Sequence, residues 1–114
     1  MSAITTHVLD TAKGRAAAGV HVLLERRDDD GEWQSISRGS TDNDGRLRTL
    51  YPDHQPLQPG VYRLTFDTER YFEAEGITAF YPEVSVVFET APGEKHYHVP
   101  LLLSPFGFST YRGT

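Results

Sequence analysis

Residues 95–114 read KHYHVPLLLSPFGFSTYRGT, and the fold is decided there. Successive side chains of an extended chain face opposite ways. A strand over Lys95–Leu103 therefore sets His96, His98 and Pro100 on one face and Tyr97, Val99 and Leu101 on the other. One face carries imidazole and the other carries core. Beyond it, Phe106, Phe108 and Tyr111 supply enough apolar surface for the chain end to dock rather than fray, and Phe106–Gly113 reads as a further short strand. Docking would hold Arg112, Gly113 and the hydroxyl and carboxylate of Thr114 beside the histidines. Such a combination points to a site rather than a tail.

Working back from this stretch, Glu83–Glu89 alternates Val84, Val86 and Phe88 against Ser85, Val87 and Glu89, and Ala91-Pro92-Gly93 turns the chain into the histidine strand. Val61–Asp67 puts Tyr62, Leu64 and Phe66 on one face and predicts a central strand. Between the two, Thr68–Gly76 loses the alternation and reads as the one helix, with Thr68 as cap, Glu69 in its first turn and Gly76 as its end. In the amino-terminal half, Ile4–Asp10 is rich in β-branched residues and predicts a strand, and Thr11–Gly19 is a flexible connection. Val20–Arg27 follows as a strand with Val20, Val22 and Leu24 opposite His21, Leu23 and Glu25. Asp28–Gly31 reads as a hairpin turn in preference to a cation site, and Glu32–Arg38 as a strand carrying Trp33. Thr41–Arg46 is a turn closed by Gly45. Residues 47–60 hold three of the seven prolines, so Leu47–Leu50 can only be a short edge strand. Many short strands punctuated by glycine and proline predict a mainly β protein, an antiparallel β-sandwich of about eight strands with one short helix. At 114 residues the chain has room for one core, and residues 1–114 read as a single domain.

Bulk composition narrows the function. Sixteen acidic residues against eleven basic ones give a formal charge of −5, which repels phosphate backbones and argues against a nucleic-acid partner. There is no cysteine, so no disulfide and no thiolate chemistry, which fits a reducing compartment. The start MSAITTHVLD has neither a basic n-region nor a long apolar run, and no stretch approaches the ~20 apolar residues that span a bilayer. A cytoplasmic protein with no membrane partner is the expectation.

Five histidines, at positions 7, 21, 54, 96 and 98, are the candidates for chemistry. His54 lies in the proline-rich loop and His21 on the polar side of its strand, so both read as surface residues. A lone strand histidine such as His7 is more often solvated or structurally bonded than functional. His96 and His98 share a face, which fits a metal site, a general base with a partner, or two solvated side chains. On the residues alone, the three remain open.

Longer motifs carry the reading further. ITTHVLDTAKGRAAAGVHVLL, residues 4–24, resembles the amino-terminal signature of the transthyretin family, and YHVPLLLSPFGFSTYRGT, residues 97–114, resembles its carboxy-terminal signature. The ending Tyr111-Arg112-Gly113-Thr114 looks like the tetrapeptide that separates the 5-hydroxyisourate hydrolases of the family from its hormone carriers, and TDNDGR resembles their central motif. Ala16 stands where the first signature usually has proline, and Thr114 where serine is the commoner ending; threonine keeps the hydroxyl. Carried over position by position, the resemblance implies catalytic roles for His7, Arg46, His98 and Thr114. It implies a substrate-binding set of those four with Tyr111, Arg112 and Gly113, and it gives His96 no role.

The activity so implied is hydrolysis of 5-hydroxyisourate to 2-oxo-4-hydroxy-4-carboxy-5-ureidoimidazoline, with water attacking the ring amide carbonyl. Histidine, with an ordinary pKa of ~6.5, suits the base, which would be His7 or His98. Arg46 would hydrogen-bond the substrate's oxygens and oppose the charge developing on the carbonyl. Thr114 would orient His98. The resemblance implies no cofactor, no metal, and a homotetramer, a dimer of dimers joined by edge strands with sites in the channel between dimers. Three rival readings are a carrier of a small aromatic ligand without turnover, a zinc site of His7, His96 and His98, and an adhesive sandwich module.

Overall fold

In the computed structural model, which describes residues 2–114, nine strands and one helix follow one another. They are β1 (Ile4–Asp10), β2 (Arg15–Ala16), β3 (His21–Arg27), β4 (Trp33–Ser40), β5 (Arg46–Leu47), β6 (Gly60–Phe66), α1 (Thr68–Ala74), β7 (Val84–Thr90), β8 (Tyr97–Ser104) and β9 (Gly107–Thr110). Two sheets form. One has the order β2-β1-β8-β9, with β5 also paired to β1, and the other has the order β4-β3-β6-β7.

Alternation built these sheets much as the pattern required. Tyr62, Leu64 and Phe66 of β6 are fully buried, as are Val20 and Leu24, and Leu101 of β8 meets them in the same core. The register of β3 breaks at a bulge between Leu24 and Glu25, and beyond it Glu25 is buried and paired with Arg63 at 2.8 Å. The connection 11–19 contains β2, two residues that pair antiparallel with the second half of β1. The expected strand Leu47–Leu50 is met only at Leu47: the strand that forms, β5, starts one residue earlier at Arg46, stops before Arg48, and pairs with the first half of β1. One edge of β1 is thus shared by two short strands and the other belongs to β8.

Two expectations need correction. The sandwich is not wholly antiparallel: β1 and β8 run parallel, with Ile4 opposite Tyr97 and Asp10 opposite Leu103. A hairpin forces reversal, but the path from β1 to β8 crosses the whole second sheet and returns, so either direction is open to it. The helix cap is Asp67, whose carboxylate accepts the Arg70 N–H at 3.1 Å. Thr68 is buried and donates instead to the Tyr81 carbonyl at 2.8 Å. Gly76 does end the helix: at φ +71° its N–H reaches the Glu73 carbonyl and that of Ile77 reaches Phe72, the paired bonds of a Schellman stop.

Among the described residues no helix is long and apolar enough to cross a membrane. The carboxy-terminal aromatics, expected to dock, remain outside on the single chain. Phe106 is 74% exposed and Tyr111 57%, while Phe108 is partly covered by an edge-on contact with Tyr81. What holds the end is a backbone bridge, in which the Gly113 N–H donates to the His98 carbonyl at 2.8 Å.

Candidate active site

Register brings the predicted residues together. On β1 the period of two puts Thr5 and His7 on one face; Thr5 lies opposite His98 of β8, and His7 lies opposite Arg46 of β5. Gly113 bridges to His98 from the far side. Arg46, His7, Thr5, His98 and the carboxy-terminal segment therefore stand side by side across one sheet. A cleft of about 230 Å³ opens on it, lined by Thr5, Thr6, Arg46, Arg48, His96, His98 and Thr114.

The turn before β5 positions two of these groups. The Asp42 carboxylate accepts the backbone N–H groups of Asp44 at 2.9 Å and Arg46 at 3.0 Å, and the bond from Arg46 is the main reason its pKa lies below the usual carboxylate range. Gly45 has φ +75°, and a side chain there would collide with the Val8 carbonyl oxygen. Only glycine lets the turn approach β1 closely enough for the Val8 N–H to reach the Gly45 carbonyl, at 2.7 Å. The same turn holds His7, whose Nε2–H donates to the Asp44 carbonyl at 2.9 Å.

His98 is held differently. Its Nδ1 lies 2.8 Å from the Thr5 hydroxyl, which is also 3.3 Å from His96 Nε2. Its Nε2 takes no hydrogen bond among the described residues and is not among the buried unpartnered atoms, so it is open. Burial first, then the charges of Arg46, His7 and His96, push the His98 pKa below its ordinary value, so the ring is neutral near pH 7. Neither Arg46 nor Arg48 makes an ion pair among the described residues. In a chain of net charge −5, these cations are concentrated where an electron-rich ligand would meet them.

Thr114 lines the cleft, but the hydroxyl on His98 Nδ1 belongs to Thr5. Gly113 is explained by contact, since a Cβ there would stand 2.7 Å from His98 Cδ2. His7, Tyr111, Arg112 and Gly113 are not among the residues that line the cleft of one chain. The Arg112 guanidinium stacks on the Tyr97 ring at 4.5 Å and lies 3.6 Å from Glu94. His21 and His54 are exposed, as expected of surface residues. His96 and His98 share a threonine hydroxyl, and no group of three His, Cys, Asp or Glu suited to a metal ion occurs among the described residues. Three lining residues, Thr5, Thr6 and Arg48, escaped the sequence reading. Thr5 is two positions before His7 on the same strand face, a signal the alternation contained; Arg48 is two after Arg46, in a stretch whose strand is too short to show its period.

A mixed sandwich with a histidine and arginine cleft on one sheet defines the class, and the chain belongs to the HIUase/Transthyretin family, matching it over residues 4–113. It is 45% identical over 111 residues to the 5-hydroxyisourate hydrolase of Salmonella typhimurium, covering 97% of this chain and 80% of that one. Among solved structures it resembles sea bream transthyretin in complex with thyroxine (TM-score 0.91, 36% identity, 98% of this chain and 95% of that one). It also resembles 5-hydroxyisourate hydrolase of Klebsiella pneumoniae (TM-score 0.85, 33% identity, 100% and 94%). A carrier and a hydrolase share the fold, so fold alone does not choose between them.

Proposed function

We propose that this chain hydrolyses 5-hydroxyisourate to 2-oxo-4-hydroxy-4-carboxy-5-ureidoimidazoline in urate degradation, with His98 as general base. One observation carries the reading: the His98 imidazole, its Nε2 free of hydrogen bonds, lines a cleft together with two guanidiniums that have no carboxylate partner among the described residues. A channel for an apolar ligand has little use for that set of groups. The curated relatives' hydrolase activity agrees with it.

The chemistry follows from the groups. Water loses a proton to His98 Nε2 as its oxygen bonds to the ring amide carbonyl, and the electron pair moves to the carbonyl oxygen. Arg46 faces that developing oxyanion, and Arg48 binds the substrate's other oxygens. The ring C–N bond then breaks, and the proton held on Nε2 passes to the departing nitrogen. His7, bonded through Nε2–H to Asp44, offers the substrate its other ring nitrogen. Thr114 forms the carboxy-terminal wall, Gly113 anchors it through its bond to the His98 carbonyl, Arg112 fixes it on Tyr97, and exposed Tyr111 is available to substrate. No cofactor is required.

The cleft falls under the roughly 300–1,000 Å³ of a drug-sized pocket, which suits one small ring or one wall of a shared site. We take residues 1–114 as one domain that assembles as a homotetramer, a dimer of dimers. Exposed Phe80, Phe106 and Phe108 and the unpaired edges of β7 and β9 support assembly. Absence of cysteine favours the cytoplasm.

The test is the ultraviolet decay of 5-hydroxyisourate, generated in place from urate by a urate oxidase, with His98→Ala beside the parent. Acceleration by the parent and its loss in the variant are expected. No acceleration would hand the cleft to a ligand carrier of the kind the sea bream likeness allows.

A further inference from the structure

We propose that Thr5 and His96 form a hydrogen-bond relay that holds His98 in the Nδ1–H tautomer, keeping the lone pair of Nε2 turned to the cleft. The relay rests on the hydrolase reading for its purpose but on geometry for its existence. Thr5 is only 4% exposed, and register with β8 sets it directly opposite His98. Its hydroxyl has one hydrogen and two imidazole neighbours, His98 Nδ1 at 2.8 Å and His96 Nε2 at 3.3 Å. The hydrogen can serve only one of them, so the other ring must donate to the oxygen.

Electrostatics chooses the direction. The His98 ring lines the cleft with Arg46 and Arg48, its Nε2 is the nitrogen left without a hydrogen bond, and positive charge there favours a lone pair over an N–H. The His98 proton therefore sits on Nδ1 and donates to Thr5 Oγ1, and the Thr5 hydrogen points to His96 Nε2, which accepts. When His98 takes a proton from water on Nε2, the Nδ1–H bond to Thr5 stays as it was and steadies the imidazolium. No second proton has to move. Thr5 thus acts as a positioning residue for the base, the part a third group plays behind a catalytic histidine. His96, which the sequence motifs left without a role, is the acceptor that orients the hydroxyl.

The test combines ¹⁵N NMR of the histidine rings, with the His98 signals assigned by His98→Gln, and steady-state kinetics on the purified full chain. In the parent, above the pH at which His98 is charged, Nδ1 should carry the pyrrole-type signal and Nε2 the pyridine-type one. Thr5→Ser, which keeps the hydroxyl, should preserve both the spectrum and the rate. Thr5→Val should shift His98 toward the Nε2–H tautomer and lower kcat about 10- to 100-fold with KM within about threefold, the scale set by the outer hydrogen-bond partners of metal-bound histidines. His96→Leu should produce the same spectral shift with Thr5 in place, and it serves if Thr5→Val does not fold. A parent spectrum of Nε2–H type would overturn the relay, as would a Thr5→Val or His96→Leu protein with unchanged tautomer. A parent with the expected spectrum but no hydrolysis would support the relay and remove the substrate reading instead.

Discussion

Gly113→Ala separates the site from the fold. An added Cβ would stand 2.7 Å from His98 Cδ2 and 3.3 Å from both the His98 carbonyl oxygen and Pro100 Cγ. Carbon atoms rest at about 3.5–4.0 Å, so either the imidazole or the terminal segment must move by about 1 Å. Moving the ring strains its 2.8 Å bond to Thr5; moving the segment breaks the 2.8 Å bond from the Gly113 N–H to the His98 carbonyl. A displacement of that size near a reacting group costs on the order of 10²-fold in rate. The fold loses far less, one backbone hydrogen bond at a partly exposed end, or about 0.5–1.5 kcal/mol. The decay of 5-hydroxyisourate absorbance should therefore slow about 100-fold in the variant, while its melting temperature falls by only about 3–8 °C. An alanine variant that keeps its rate within about threefold would refute the claim that this contact seats His98.

Gly45→Ala should be costly in both respects, because the collision with the Val8 carbonyl and the positive φ push β5 off β1 and carry Arg46 away; loss of activity together with a drop of about 2 kcal/mol or more in a urea titration is expected. Tyr71→Phe, far from the cleft, removes the 2.7 Å bond from the Tyr71 hydroxyl to the buried Asp10 carboxylate, leaving that carboxylate the Lys13 N–H. It should destabilise the chain by about 1–3 kcal/mol at neutral pH, with kcat unchanged. Because burial and neighbouring cations hold the His98 pKa below its ordinary 6.5, the acid limb of the rate profile should fall below that pH, where His98 gains its proton. The folded protein binds that proton less readily than the unfolded chain, so stability from this group is whole above about pH 6.5 and lost as pH falls through the lowered pKa. A rate profile whose acid limb is centred above 6.5 would contradict the environment described for His98.

The sequence by itself determined which residues face inward. Periodicity of two named Tyr62, Leu64, Phe66, Val99 and Leu101 as core, because alternation on a strand is a local property that burial merely selects. Glycine marked the turn at Gly45 and the stop at Gly76 because few other residues tolerate positive φ. Motif likeness then supplied His7, Arg46 and His98. What only the tertiary structure decided was pairing. That β1 and β8 run parallel, that Thr5 rather than Thr114 meets His98, and that Arg112 turns to Tyr97 and Glu94 all depend on strand register. Register couples residues about ninety positions apart, and no local preference within either strand states which partner the other will bring.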